Sequence, residues 1–263
     1  MLKGFFSNRN IERILLFLFV NERCYGTQLQ TLLGVPLTPL QKALSHLEKH
    51  RVLSSHYEGK ARIYQFNPSY PLRWELESLL KKAYTHLPSQ EKKRYCFVHK
   101  QKFIPSEKGR SRRKELTAFW EKLLKTRKLS LVTKSRLGNE KITKTGRAEV
   151  TVSLVAPSVL IFHEKGYWLV DEHPDTSFSG SFRWSLDLKT SLITLEHLRH
   201  GASRPVFLFN LTPIQANKLE SVDAHLCGED TYLGSVIWSN DQIAFHWRII
   251  GPQKNDELIY HYS

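Results

Sequence analysis

The chain has 263 residues, a formal net charge of +14, and 41% hydrophobic and 11% aromatic content. That is enough apolar material for one large domain or two ordinary ones, and it excludes a chain disordered throughout. Its three cysteines, Cys24, Cys96 and Cys227, stand at wide, unrelated spacings that exclude a disulfide framework and a zinc-ligand pattern, so a reducing, cytoplasmic setting is expected.

The first element is a helix in "NRNIERILLFLFVNE", where Ile11, Ile14, Leu15 and Leu18 fall at helical spacing. Its apolar run at 14–20 is too short to span a bilayer. The flanking Glu12 and Asn21-Glu22-Arg23, with no small-residue cleavage site, do not fit a signal peptide. No membrane association is expected. "YGTQLQTLLG" gives a short second helix closed by Gly34. In "TPLQKALSHLEKHR", Thr38 is the expected N-cap with Pro39 at the first helical position, and Leu40, Leu44 and Leu47 point to a core. The opposite face carries Gln41, Lys42, Ser45 and Lys49, with His46 at its margin. The strand "VLSSHY", the Gly59 turn and the strand "RIYQFN" then make a hairpin bearing Lys60 and Arg62. A last helix, "PLRWELESLLKKAYTHL", shows an apolar stripe of Leu72, Leu76, Leu79, Leu80 and Ala83, read either as core or as a two-fold contact between copies of the chain.

Helix, short helix, polar-faced helix and basic hairpin, in that order, spell a winged helix-turn-helix. In such docking the third helix enters the major groove, where Gln and Lys read base edges, and the wing meets phosphates. The expected contacts to double-stranded DNA are therefore Thr38, Gln41, Lys42, Ser45, His46, Lys49, Lys60 and Arg62. Residues 8–87 resemble the ArsR-type winged-helix regulators on "TLLGVPLTPLQKALSHLEKHRVL", with His50-Arg51 where a glycine often ends the recognition helix. "GKARIYQFNPSYPLRWELESLLKKAY" is similar to a winged-helix group often fused to nucleotidyltransferases. No Gly-Ser followed by an Asp-x-Asp pair stands downstream, so that activity is not carried over. The resemblance implies a homodimer on a palindromic site.

Residues 1–90 hold 12 Lys/Arg against 6 Asp/Glu, residues 91–114 hold 10 against 2, and residues 115–263 hold 17 against 17. The positive field thus belongs to the first half. It implies a polyanionic partner there, with 91–114 as a basic, self-repelling linker able to track phosphates.

After the helix "ELTAFWEKLLKT" the pattern turns to period two. "GRAEVTVSLV", "SVLIFHE", "GYWLVDE", "SFSGSFRWSLDL", "SLITLEHL", "RPVFLFN", "ESVDAHLC", "DTYLGSVIW", "QIAFHWRII" and "ELIYHYS" read as short strands. The fold class is then a multidomain α+β chain: an N-terminal winged helix over 1–90, and over 115–263 an antiparallel up-and-down β-barrel able to hold one small ligand. In "HLCGEDTY" a two-residue turn at Gly228-Glu229 would pair Cys227 with Asp230, His225 with Tyr232 and Asp223 with Gly234. Asp223, His225, Cys227, Asp230 and Tyr232 would share one face, either a polar binding patch or the solvent side of a hairpin. His-x-Cys plus Asp is an incomplete metal set, and "VDEHPD" at 170–175 reads as an acidic loop before it reads as a cation site. No metal or cofactor is implied.

"HLCGEDTYLG" followed by "FHWRIIGPQKNDELIYHY" resembles the bacterial domain-of-unknown-function family 6314, which ends in a similar hairpin, a Trp strand and Gly-Pro-x-Lys before its last strand. The resemblance implies a lipocalin-like barrel and no known activity. As candidate ligand-binding positions it marks His225, Cys227, Asp230, Tyr232, Trp247 and Lys254. The expectation is a bacterial transcriptional regulator whose barrel binds a small ligand or partner that modulates DNA binding. The alternatives are a barrel enzyme localised by its winged helix, and an RNA- or protein-interaction module.

Overall fold

The computed structural model describes residues 4–6, 8–59, 61–95, 111–137 and 140–263. The chain divides into two compact units, Met1–Phe97 with Ile250–Gln253, and Val98–Ile249 with Lys254–Ser263. Among the described residues no helix is long and apolar enough to cross a membrane.

The first unit runs α1 (Arg9–Asn21), β1 (Arg23–Tyr25), α2 (Gly26–Leu33), α3 (Leu37–Lys49), β2 (Leu53–Glu58), β3 (Ala61–Phe66), α4 (Arg73–Thr85) and α5 (Ser89–Tyr95). Every residue of α1 from Ile14 to Val20 is buried, so this helix is enclosed on all sides. Gly34 takes the left-handed conformation and closes α2. α3 starts earlier than expected: Pro36 holds the cap position with no side-chain bond, and Thr38 lies within the first turn. Pro39 tolerates this because the first turn's N–H groups have no intrahelical partner in any case. Arg51 follows α3 at φ 58, the left-handed position where a glycine would fit, and the Asn67 amide donates to its carbonyl at 2.9 Å. The strand order β1-β3-β2 includes β1, which the sequence pattern did not reveal because it is only 3 residues long. Of the basic linker, residues 91–95 belong to α5 and 112–114 to the next helix, while 96–110, including Cys96, lie outside the described residues.

The second unit opens with α6 (Arg112–Lys125), capped by the Ser111 side chain, which accepts from Lys114 N. There follow β4 (Lys128–Leu137), β5 (Glu140–Ala156), β6 (Val159–Val170), β7 (His173–Asp187), β8 (Leu192–His197), β9 (Val206–Gln215), β10 (Lys218–Ser221), β11 (His225–Cys227), β12 (Asp230–Trp238), β13 (Ile243–Ile250) and β14 (Asn255–Tyr262). The order β10-β9-β8-β7-β6-β5-β4-β14-β13-β12-β11, with β10 also paired to β12, closes the sheet on itself. β10 and β11 are successive pieces of one line along β12, so the closed antiparallel barrel has ten strands. Closure leaves no long free edge.

Ten segments were expected, but not these ten. The sequence pattern does not show β4, and it divides β6 in two at Lys165-Gly166, whereas the strand runs unbroken from Val159 to Val170. Gly166 is no turn: a Cβ there would lie 2.0 Å from the Arg147 carbonyl oxygen, so the glycine lets β5 and β6 approach. The turn comes later, at Asp171 and Glu172, both at positive φ, and Glu172 pairs with Arg147 at 3.0 Å.

Leu116, Phe119, Trp120 and Leu123 of α6 join the inward residues of the strands in one core. Phe119 meets Trp184 at 6.0 Å and Trp238 at 5.1 Å, near the ends of β7 and β12, which sets the helix across that end of the barrel. The site lies toward the other end.

Candidate functional site

Strand alternation sets which side chains face inward. On β12, Val236 and Trp238 are core residues, so Asp230, Tyr232 and Gly234 share their inward phase. The hairpin forms as read: Cys227 pairs with Asp230 and His225 with Tyr232 across Gly228 at φ 60. Asp230 and Tyr232 are half-buried in that phase, whereas on the opposite side Ile237 is exposed and Thr231 is fully buried.

Asp223 does not join this face. The line bends after Ser221, whose hydroxyl donates to Gly234 O and accepts from Gly234 N at 3.0 and 3.1 Å, replacing the ladder there.

Lys254, just before β14, reaches into the same cluster. Its Nζ donates to Asp230 Oδ2 at 2.5 Å and to the Tyr232 hydroxyl at 3.2 Å. The bond to Asp230 holds its pKa above the usual lysine value. The His225 ring lies 5.8 Å from that of Tyr232, and burial pushes its pKa down. Cys227 is exposed at the hairpin tip and has no part in the cluster. Trp247 of β13 faces inward, 6% exposed, stacked on Tyr260 at 5.3 Å; its indole N–H finds no acceptor. The resemblance-based positions therefore separate into a rim cluster (Asp230, Tyr232, Lys254, with His225 beside it), one deep ring (Trp247) and one surface thiol.

The sequence reading missed the most unusual inward group. On β6 the inward phase runs Leu160, Phe162, Glu164 and Gly166, so Glu164 points into the barrel and is 3% exposed. The Tyr262 hydroxyl donates to its Oε1 at 2.7 Å. Burial raises the Glu164 carboxyl to about 7, with the Tyr262 bond opposing. Burial, and then the Glu164 charge, hold the Tyr260 and Tyr262 phenols above their usual value. A signal was present, since a carboxylate stood in period-two phase with Leu160 and Phe162. Splitting β6 at Gly166 hid it. Among the described residues no three His, Cys, Asp or Glu side chains gather as a metal site.

In the first unit, Thr38, Gln41, Lys42, Ser45, His46 and Lys49 are all exposed on α3, opposite buried Leu40, Ala43, Leu44 and Leu47. Arg62 turns back onto that helix. Its Nη2 donates to both Glu48 oxygens at 2.9 and 2.7 Å, and its Nε to Ser55 Oγ at 2.9 Å. Lys60 lies outside the described residues.

Residues 126–263 match the model of a family described as a family of unknown function (DUF6314). No curated protein matches the chain.

Proposed function

The chain belongs to the DUF6314 family, and we propose that it is a bacterial, cytoplasmic regulator that binds double-stranded DNA and adjusts that binding through a ligand held in its lipocalin-like barrel. The observation that carries the DNA half is the exposed, uncommitted polar face of α3. Gln41, Lys42, Ser45, His46 and Lys49 stand on a helix whose other face is core, followed by the β2–β3 hairpin. The order α1-β1-α2-α3-β2-β3 supports the reading as a winged helix-turn-helix, in which α3 would enter the major groove. Lys60, which lies outside the described residues, is expected from the sequence to meet phosphate, while Arg62, neutralised by Glu48, would contribute less than its position suggests. Leu80 and Ala83 of α4 are buried in the unit's own core, and the proposed two-fold contact would fall at Leu72, its 57% exposed N-cap. The support for the ligand half is an inward wall of aromatic rings that includes one carboxyl with no counterion among the described residues.

Duplex-binding isotherms of the full chain test the reading. Gln41→Ala or Lys42→Ala should reduce preference for the selected site over random duplex about tenfold, the effect of losing one good base contact. Lys60→Ala should weaken all duplexes alike and flatten the salt dependence by roughly one counterion. Unchanged isotherms for these variants would rule out this docking.

A further inference from the structure

The barrel's inward positions carry Glu164 in the wall and Asp230 and Asp256 toward the rim. Against them, Lys254 is held by Asp230, exposed Lys144 stands in the inward phase of β5 toward the rim, and the His197 ring of β8 stacks on Phe182 at 4.7 Å; Ser135 donates to Asp256 at 2.6 Å. Among the described residues Glu164 makes no ion pair, and its one hydrogen bond comes from Tyr262. Its neighbours across the strands are Val150 on β5 and Gly180 on β7, neither of them titratable. The titratable groups facing it are Tyr260 and Tyr262 of β14.

The surroundings are π-faces. Phe162 meets Tyr262 at 5.8 Å, Tyr262 stacks on Tyr260 at 5.9 Å, and Tyr260 stacks on Trp247 at 5.3 Å. Two inward glycines are covered by such rings: a Cβ on Gly180 would meet Phe182 at 3.1 Å, and one on Gly234 would meet Phe209 at 3.2 Å. The rings there lie against the wall. Trp247 Nε1 is buried in this wall with no acceptor.

We propose that the barrel binds a small organic cation, an ammonium group on an apolar or aromatic body, with the ammonium between the Glu164 carboxylate and the rings of Tyr260 and Tyr262, and an acceptor on the body taking the Trp247 N–H. The chemistry selects against the other ligand classes. A fatty acid or other carboxylate would lie beside Glu164, with no lysine or arginine in the inward wall around it to receive the charge. A wholly neutral ligand would leave the ionised carboxylate without a counterion above a pH of about 7. An ammonium supplies the missing counterion, and electron-rich ring faces favour it further. Without ligand, protonation relieves the same group, and burial accordingly raises it to about 7. This inference deepens the ligand half of the proposed function and does not depend on DNA binding.

The test is calorimetric titration of the full chain, without DNA, using choline against its neutral isostere 3,3-dimethylbutanol, phenethylamine against phenethyl alcohol, and octanoate as the anion. At pH 8 each cation should bind at least tenfold tighter than its isostere, and octanoate should not bind. Choline has no titrating ammonium, so its affinity should fall about tenfold per pH unit below about 7 through Glu164 alone. Glu164→Gln should abolish both the preference and the pH slope while near-UV circular dichroism stays unchanged. Equal binding of cation and isostere, tighter binding of octanoate, or no cation binding at millimolar concentration would overturn the proposal. A cation that binds without changing duplex affinity would leave this inference standing and remove the regulatory one.

Discussion

A carboxyl group with one hydrogen bond and no counterion is costly to keep charged inside a protein, and Glu164 is such a group. Its folded value of about 7 lies above the ordinary carboxyl value of 4.5, so the folded chain holds a proton that the unfolded chain has released across that window. Stability should therefore fall as pH rises from about 4.5 to 7 on account of this residue. Glu164→Gln should match the wild type at pH 4 and be more stable at pH 8, by up to about 3 kcal/mol, in urea denaturation. A difference independent of pH would contradict this. Arg51 is a second residue held against its preference, at φ 58 after α3. Arg51→Gly should raise stability by about 0.5–1 kcal/mol, because a glycine takes that conformation without strain. The His50-Arg51 pair was visible in the sequence as a departure from the usual glycine, and the backbone carries that departure as strain.

Among the elements, α3 was legible because its leucines recur at helical spacing and leave one face polar, a pattern that tertiary packing did not overrule. Its first residue was not legible, since Thr38-Pro39 fits a cap or a first turn equally well. β6 misled for a physical reason. A glycine between two alternating runs commonly marks a turn, whereas Gly166 serves close strand approach, and the consequence was to lose the phase that identifies Glu164. β4 was missed because its alternation, Leu129 and Leu131, gives way to polar residues toward the rim, where the inward Ser135 bonds to Asp256. Gly166→Ala should cost about 1–3 kcal/mol, since the clashing atom is backbone and a strand has to shift. Thermal denaturation checks it, and an unchanged Tm would contradict the close approach. On α4, Leu72→Glu should convert the proposed dimer to monomer in sedimentation velocity at unchanged helix content.

For the whole molecule, the barrel's closure was readable from the number of short strands, and its family from the terminal hairpin and "GPQK" segment. The ten-stranded barrel is wider than one of eight strands. Its inward side chains, many of them aromatic, pack in one core with Leu116, Phe119, Trp120 and Leu123 of α6. The charge division along the chain, positive to residue 114 and balanced beyond it, places the excess of basic residues that the proposed polyanion binding draws on in the first half. The two proposed activities thus draw on different residues and are separable by experiment.

The most direct test of the central claim is selection of random duplexes by the full chain across a salt series. The account predicts enrichment of a shared, palindromic motif, with affinity falling steeply as salt rises. Retention of duplexes with no common motif, or no retention at moderate salt, would contradict it.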